Sequence, residues 1–145
     1  MALCYSCNNK GMTMKKMPRI SDAEWEVMKI LWEKSPLTAN DIVEILSKRV
    51  SWQRETIRTL INRLVQKKAV RFEKQGRQYH YYPAVVETEC IKAQTRSFLR
   101  RFRADAIEPM LAALVEEEQL SAEQIARLKE ILDGKEASAK RRKSE

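Results

Sequence analysis

The stretch RETIRTLINRL, residues 54–64, has side chains suited to hydrogen-bonding another molecule, spaced so that they share one face. On a helical wheel at about 100° per residue, Ile57, Leu60, Ile61, Leu64 and Val65 fall within one arc, the spacing of a helix that buries one side. Opposite them lie Glu55, Arg58, Thr59, Asn62 and Gln66, with Thr56 and Arg63 on one shoulder. Most of these can donate hydrogen bonds, whereas a merely solvated face usually mixes Glu with Lys. Two readings fit the segment alone: a basic surface helix with no role, and a face that docks on a ligand. Its surroundings decide between them.

Other reactive residue types are few. Cys4 and Cys7 have zinc-knuckle or redox spacing, but a structural zinc site needs four ligands, and Cys90 and His80 lie far along the chain. Two chains could pool their four N-terminal thiolates; a flexible leader or a mis-assigned start explains the pair more simply. No metal and no cofactor are expected. Three cysteines so placed are not a disulfide framework and agree with a reducing compartment. His80, between Tyr79 and Tyr81, has no carboxylate or nucleophile spaced to partner it, and neither a phosphate-cradling glycine loop nor HExxH occurs, so no catalysis is expected. Trp25 and Trp32, at helical spacing, are expected in the core rather than stacked on a base.

Charge separates the two readings of residues 54–64. Residues 48–80 hold ten Lys/Arg against Glu55 and Glu73, which accounts for the entire net charge of +8; the rest of the chain balances. Charge focused in this way is what phosphate neutralisation requires, because each Lys or Arg contact releases condensed counterions. An anionic membrane surface is the weaker alternative. No apolar run approaches the ~20 residues of a membrane span and no signal-peptide core precedes the domain, so the expected location is the cytoplasm, with no membrane partner.

The elements around that segment follow from caps and periods. A chain of 145 residues, 43% hydrophobic and 33% charged, fits one globular domain or a domain with an oligomerisation appendage. Residues 1–16 show no period and are expected to be a disordered leader, with Met12, Met14 or Met17 as alternative starts. Ser21 with Glu24 forms a capping-box signature ahead of Trp25, Met28, Leu31 and Trp32; Pro36 ends that helix. Thr38 with Asp41 opens a second helix bearing Ile42, Ile45 and Leu46, and Ser51 is expected to cap the third. AVRFEKQGRQYHYYP then reads as a β-hairpin turning near Gln75, Gly76 and Arg77 and ending at Pro83. Three short helices and a hairpin over 17–86 are the order of a winged helix-turn-helix whose third helix enters the DNA major groove.

Residues 87–134 are expected to be helical again: one helix over CIKAQTRSFLRRF, one started by Pro109, and one capped by Ser121 and Gln124 that stops at Gly134. Such a stretch makes a poor core alone. Leu111, Leu114, Ile125, Leu128, Ile131 and Leu132 are therefore assigned to burial against a second copy, a homodimer. Residues 135–145 are expected to be a disordered basic tail. The fold class is mainly α with a small β-hairpin: a winged helix-turn-helix domain followed by a helical dimerisation region.

ISDAEWEVMKILWE, TANDIVEIL, TIRTLINRLVQKKAV and YHYYP resemble the penicillinase and methicillin-resistance repressor family (BlaI/MecI), allied to the copper repressor CopY, from residue 19 to about 133. The resemblance implies a dimeric repressor that binds double-stranded operator DNA at a palindrome and is removed by an inducing signal, through a sensor or protease. Carried over, the family's contacting positions fall on Glu55, Thr56, Arg58, Thr59 and Arg63, with the wing contact on the turn from Lys74 to Arg77. Arg58 and Arg63 would meet guanine or phosphate, and Thr56 and Thr59 a phosphate or a thymine methyl. Asn62 is expected simply to be solvent-exposed.

Three departures stand out. Glu55 replaces a Lys found in relatives, so it either pairs within the helix, with Arg58 or Thr59 beside it, or accepts from a cytosine amino group. The Asn-Phe bond cut in β-lactam-responsive members aligns with Ala113-Leu114, which leaves the trigger open, and the copper branch's C-terminal cysteine motif is absent from EILDGKEASAKRRKSE. A different class of function, a dimeric protein-interaction or metal-sensing adaptor whose winged helix reads no sequence, remains the alternative.

Overall fold

The computed structural model describes residues 17–144. Cys4, Cys7 and the leader lie outside the described residues. The chain divides into two units that part between Arg96 and Ser97.

In the first unit, helix α1 (Asp22–Glu33) and helix α2 (Ala39–Arg49) flank a two-residue strand β1 (Leu37–Thr38), and α3 (Arg54–Gln66) leads into strands β2 (Val70–Gln75) and β3 (Gln78–Pro83). The capping box expected at Ser21 forms, and the start expected at Thr38 and Asp41 proves to be a capping box as well. The Ser21 hydroxyl accepts from the Glu24 N–H while the Glu24 carboxylate accepts from the Ser21 N–H, and Thr38 and Asp41 reciprocate in the same way. The third cap differs from expectation: α3 starts after Gln53, whose side chain makes no capping bond, and Ser51 lies outside the helix. Val50 and Trp52 pack against the core, and Gln53 is extended, so the chain turns helical only beyond the anchored Trp52.

Ile57, Leu60, Ile61 and Leu64 are all buried, as the wheel predicts, and pack with Val27, Met28, Ile30 and Leu31 of α1 and Ile42, Val43 and Leu46 of α2. The two tryptophans sit at the edge of this core rather than within it. Their rings meet edge to face at 5.3 Å, and the Trp32 indole N–H donates to the Val85 carbonyl at 2.9 Å, which satisfies its one polar group. The sheet is antiparallel in the order β1-β3-β2, so the hairpin gains a short third strand that the sequence did not signal. Leu37 pairs with Tyr81 and Thr38 with His80, which ties the wing to the start of α2.

Helix α3 ends in a Schellman arrangement: the Ala69 N–H donates to the Leu64 carbonyl and the Lys68 N–H to that of Val65, with Lys68 at φ +63°. Just before it, Lys67 reaches back to α1. Its ammonium donates to the Glu24 carboxylate and, at 2.8 Å, to the Arg19 carbonyl. Glu24 is only 2% exposed. Burial would raise its pKa, but the bond from Lys67, the bonds from Ser21 and the charge of Lys67 together hold it below the ordinary carboxylate value.

Helix α4 (Glu87–Leu99) begins in the first unit and ends in the second, which also holds a 3-10 turn (Ala104–Ala106), α5 (Ile107–Glu117) and α6 (Ala122–Lys143). Pro109 is the third residue of α5 rather than its first, still within the turn where a missing N–H costs nothing. Ser121 and Gln124 cap α6 as expected. The expected stop at Gly134 and the disordered tail after it do not occur, because α6 runs on to Lys143. Gly134 stays within the helix, the Ser138 hydroxyl donates to its carbonyl at 2.9 Å, and a Glu136–Lys140 ion pair at 2.8 Å spans the next turn. No residue of α5 or α6 is buried.

Glu24→Gln should lower unfolding free energy at neutral pH by about 1.5–3 kcal/mol, the range for hydrogen bonds to charged groups. Because the folded pKa is depressed, the carboxylate's contribution is complete above the ordinary carboxylate pKa and is lost as pH falls through the folded value. Urea unfolding at neutral and acid pH should therefore show a smaller acid loss for the variant. Equal losses in the two proteins would contradict this account of Glu24.

Candidate nucleic-acid interface

Burying Ile57, Leu60, Ile61 and Leu64 leaves α3 with one outward face, and Arg54, Glu55, Thr56, Arg58, Thr59, Asn62, Arg63 and Gln66 are all exposed on it. The Arg58 guanidinium donates to the Asn40 side-chain carbonyl at 2.9 Å, which links α3 to the first turn of α2. The Thr59 hydroxyl donates to the Glu55 carbonyl at 2.8 Å. The intrahelical ion pair considered for Glu55 does not form: its carboxylate makes no ion pair among the described residues, and Arg58 turns to Asn40 instead. Asn40 escaped the sequence reading because a bond between two helices leaves no trace in the period of either.

The hairpin presents a second cluster. Lys74 pairs with Tyr79 and Gln75 with Gln78 across the strands, so Gly76 and Arg77 form a two-residue turn at the expected place. Gly76 has φ +65°, a conformation that side chains disfavour. Lys74 and Arg77 are exposed. Below the tip, Phe72 meets Tyr79 edge to face at 5.4 Å, and the Arg71 guanidinium lies 4.3 Å from the Tyr82 ring centroid, stiffening the strands that carry the turn.

Ion pairing sorts the ten cations of residues 48–80 into two groups. Lys48, Arg49, Lys67 and Arg71 each meet a carboxylate, on Glu44, Glu33, Glu24 and Glu73. Arg54, Arg58, Arg63, Lys68, Lys74 and Arg77 meet none among the described residues. The uncompensated charge thus lies on the outer face of α3, at its C-terminal turn and at the wing tip, where a polyanion could supply the missing partners.

The remaining reactive groups sit in the sheet, in a helix cap and in the core. The His80 ring stands opposite Thr38 and Glu73 in the sheet, with Nδ1 buried and unbonded. Asp41 is held below the usual carboxylate range first by its two capping bonds to Thr38, with burial opposing and nearby Lys34 and His80 helping. The buried Cys90 thiol is pushed up to about 11 by burial, with Glu89 and Glu87 adding to it, which makes it a poor nucleophile and metal ligand. No group of three or more metal-ligating side chains occurs among the described residues. Nor is any described helix long and apolar enough to cross a membrane.

A family model described as penicillinase repressor matches residues 20–134. The penicillinase repressor of Bacillus licheniformis is 41% identical over 120 residues, which cover 83% of this chain and 94% of that protein. The methicillin resistance regulatory protein MecI of Staphylococcus aureus strain N315 is 35% identical over 120 residues, covering 83% of this chain and 98% of the relative. Among solved structures, the solution structure of the DNA-binding domain of the repressor BlaI is 43% identical, covers 52% of this chain and 93% of its own, and superposes with a TM-score of 0.48.

The wing turn yields a test of its own. An added Cβ at Gly76 would meet nothing within 4 Å, so Gly76→Ala isolates backbone strain and should cost about 1 kcal/mol. An unchanged urea midpoint would show that the turn does not require the left-handed conformation.

Proposed function

The chain belongs to the penicillinase repressor family, a class of transcriptional repressors and not of enzymes, and from that premise we propose that it is a homodimeric repressor whose α3 reads a palindromic operator. The observation that carries the reading is the set of cations without carboxylate partners on α3 and the wing tip. On α3, Arg58 serves as the base-edge contact, held by Asn40 in a defined orientation, while Arg63, Thr56 and Thr59 meet phosphate or base edges. Glu55, with no ion pair among the described residues, accepts from a cytosine amino group in this reading. Lys74 and Arg77 hold phosphates from the wing.

Dimerisation falls to the second unit. Leu111, Leu114, Leu128, Ile131 and Leu132 are 42–61% exposed and Ile125 is 40% exposed, a load of apolar surface that a second copy would cover. Joining two reading heads raises the effective concentration of the second half-site, worth roughly 10² to 10⁴ fold in affinity. Induction then needs only an event that separates the copies, and a sensor or protease acting on the second unit is a partner of that kind. Ala113 and Leu114 lie inside α5, so cutting between them would sever a helix that bears the apolar surface.

Selection from a random duplex pool tests the reading: a palindromic consensus is expected, and recovery without consensus would favour the adaptor alternative. Against the selected duplex, Arg58→Ala should cost about 1–3 kcal/mol and relax discrimination at one position of each half-site. Lys74→Ala or Arg77→Ala should weaken all sequences alike and lower the salt slope by about one unit each. An unchanged slope would place the wing away from DNA. Leu128→Asp puts an unpaired carboxylate into the proposed interface and should yield a folded, weakly binding monomer by sedimentation. A dimer with full affinity would show that the interface lies elsewhere.

A further inference from the structure

The match to the family ends at residue 134, yet α6 continues to Lys143. After Leu132 the chain contains no large apolar residue, so burial cannot hold this last part of the helix. Every residue from Lys135 to Ser144 is exposed. Its last turn carries Lys140, Arg141, Arg142 and Lys143. Lys140 is paired with Glu136, whereas Arg141, Arg142 and Lys143 meet no carboxylate among the described residues.

The negative end of the helix dipole favours cations there, but it amounts to only about half an elementary charge and cannot neutralise three. These three charges project from consecutive positions about 100° apart, so they make a diffuse cationic tip rather than a single face, and a polyanion such as duplex DNA, with one negative charge per ~1.7 Å counted over both strands, offers the counter-charge. A membrane surface is a poorer fit, because an interfacial helix needs an apolar face to insert and this segment has only Ala137 and Ala139.

We propose that the C-terminal end of α6, through Arg141, Arg142 and Lys143, is a second nucleic-acid contact that grips duplex phosphates without reading sequence. The proposal rests on the DNA-binding reading above and extends it to residues beyond the family match. Such an arm needs no fixed register, since phosphates continue on either side of any site. Its effect is to raise affinity for duplex DNA of any sequence.

The test uses the full chain with Arg141→Gln, Arg142→Gln and Lys143→Gln combined, titrated over a range of salt against a selected duplex and a scrambled one. Affinity for both should fall by the same factor, and the salt slope should shrink by about 0.9 per lost contact, hence by about 2 to 3 units per protomer. A companion variant with Arg141→Lys and Arg142→Lys should keep the wild-type slope, because charge and not guanidinium geometry is what the arm supplies. Circular dichroism and sedimentation should show the fold and assembly unchanged. An unchanged slope in the Gln variant would overturn the proposal, as would binding to anionic phospholipid vesicles that the Gln substitutions abolish while duplex affinity stays intact. A wild-type chain that bound neither duplex would instead sink the DNA-binding reading on which the proposal stands.

Discussion

Glu24 and Lys67 form the interaction on which the geometry of the first unit turns. Glu24 is a buried carboxylate that closes the capping box of α1 and receives the ammonium of Lys67, the residue at which α3 ends. An unpaired charge at that depth would be costly, so the carboxylate is tolerable only while α3 ends where it does. Lys67 in turn brings the Schellman turn at Lys68 and the start of β2. One ion pair therefore relates the first helix, the end of the third and the root of the wing. The rotation of α3 follows from its buried row, and its position along its own axis is anchored at Lys67. Together these decide which side chains face outward and at what height.

The two units manage their surfaces in opposite ways. The first buries a core drawn from its helices and sheet and leaves cations without carboxylates on α3 and the wing. The second buries none of the residues of α5 and α6 and displays a leucine- and isoleucine-rich face. Charge suits attraction to a polyanion over distance, and apolar area suits close packing on another protein surface. The cations of α3 and the wing and the apolar surface of α5 and α6 thus suit different kinds of partner.

Much of this was legible in the sequence, and the reasons are physical. The row of Ile57, Leu60, Ile61 and Leu64, the helix starts at Ser21, Thr38 and Ser121, and the turn at Gly76 are local patterns with local causes. What stayed hidden depends on contacts distant in sequence. Strand β1 exists because Leu37 and Thr38 meet Tyr81 and His80, a pairing no window could reveal. Arg58 chooses Asn40 over Glu55 across a helix-helix gap. Counting charge located the basic segment but could not tell which of its cations Glu24, Glu33, Glu44 and Glu73 would neutralise. The tail misled for a different reason: a glycine and a run of cations suggest an end, while the helix continues through them with an i,i+4 Glu136–Lys140 pair in its favour.

The claim that everything else serves is that the outer face of α3, held in place by Glu24 and Lys67, is the surface that touches DNA bases. Mapping backbone amide shifts by NMR as a selected duplex is added tests it most directly. The largest changes should concentrate between Arg54 and Arg63, with a second group from Lys74 to Arg77, and a scrambled duplex should move the second group more than the first. Changes confined to the second unit, or an α3 that responds equally to both duplexes, would contradict the account.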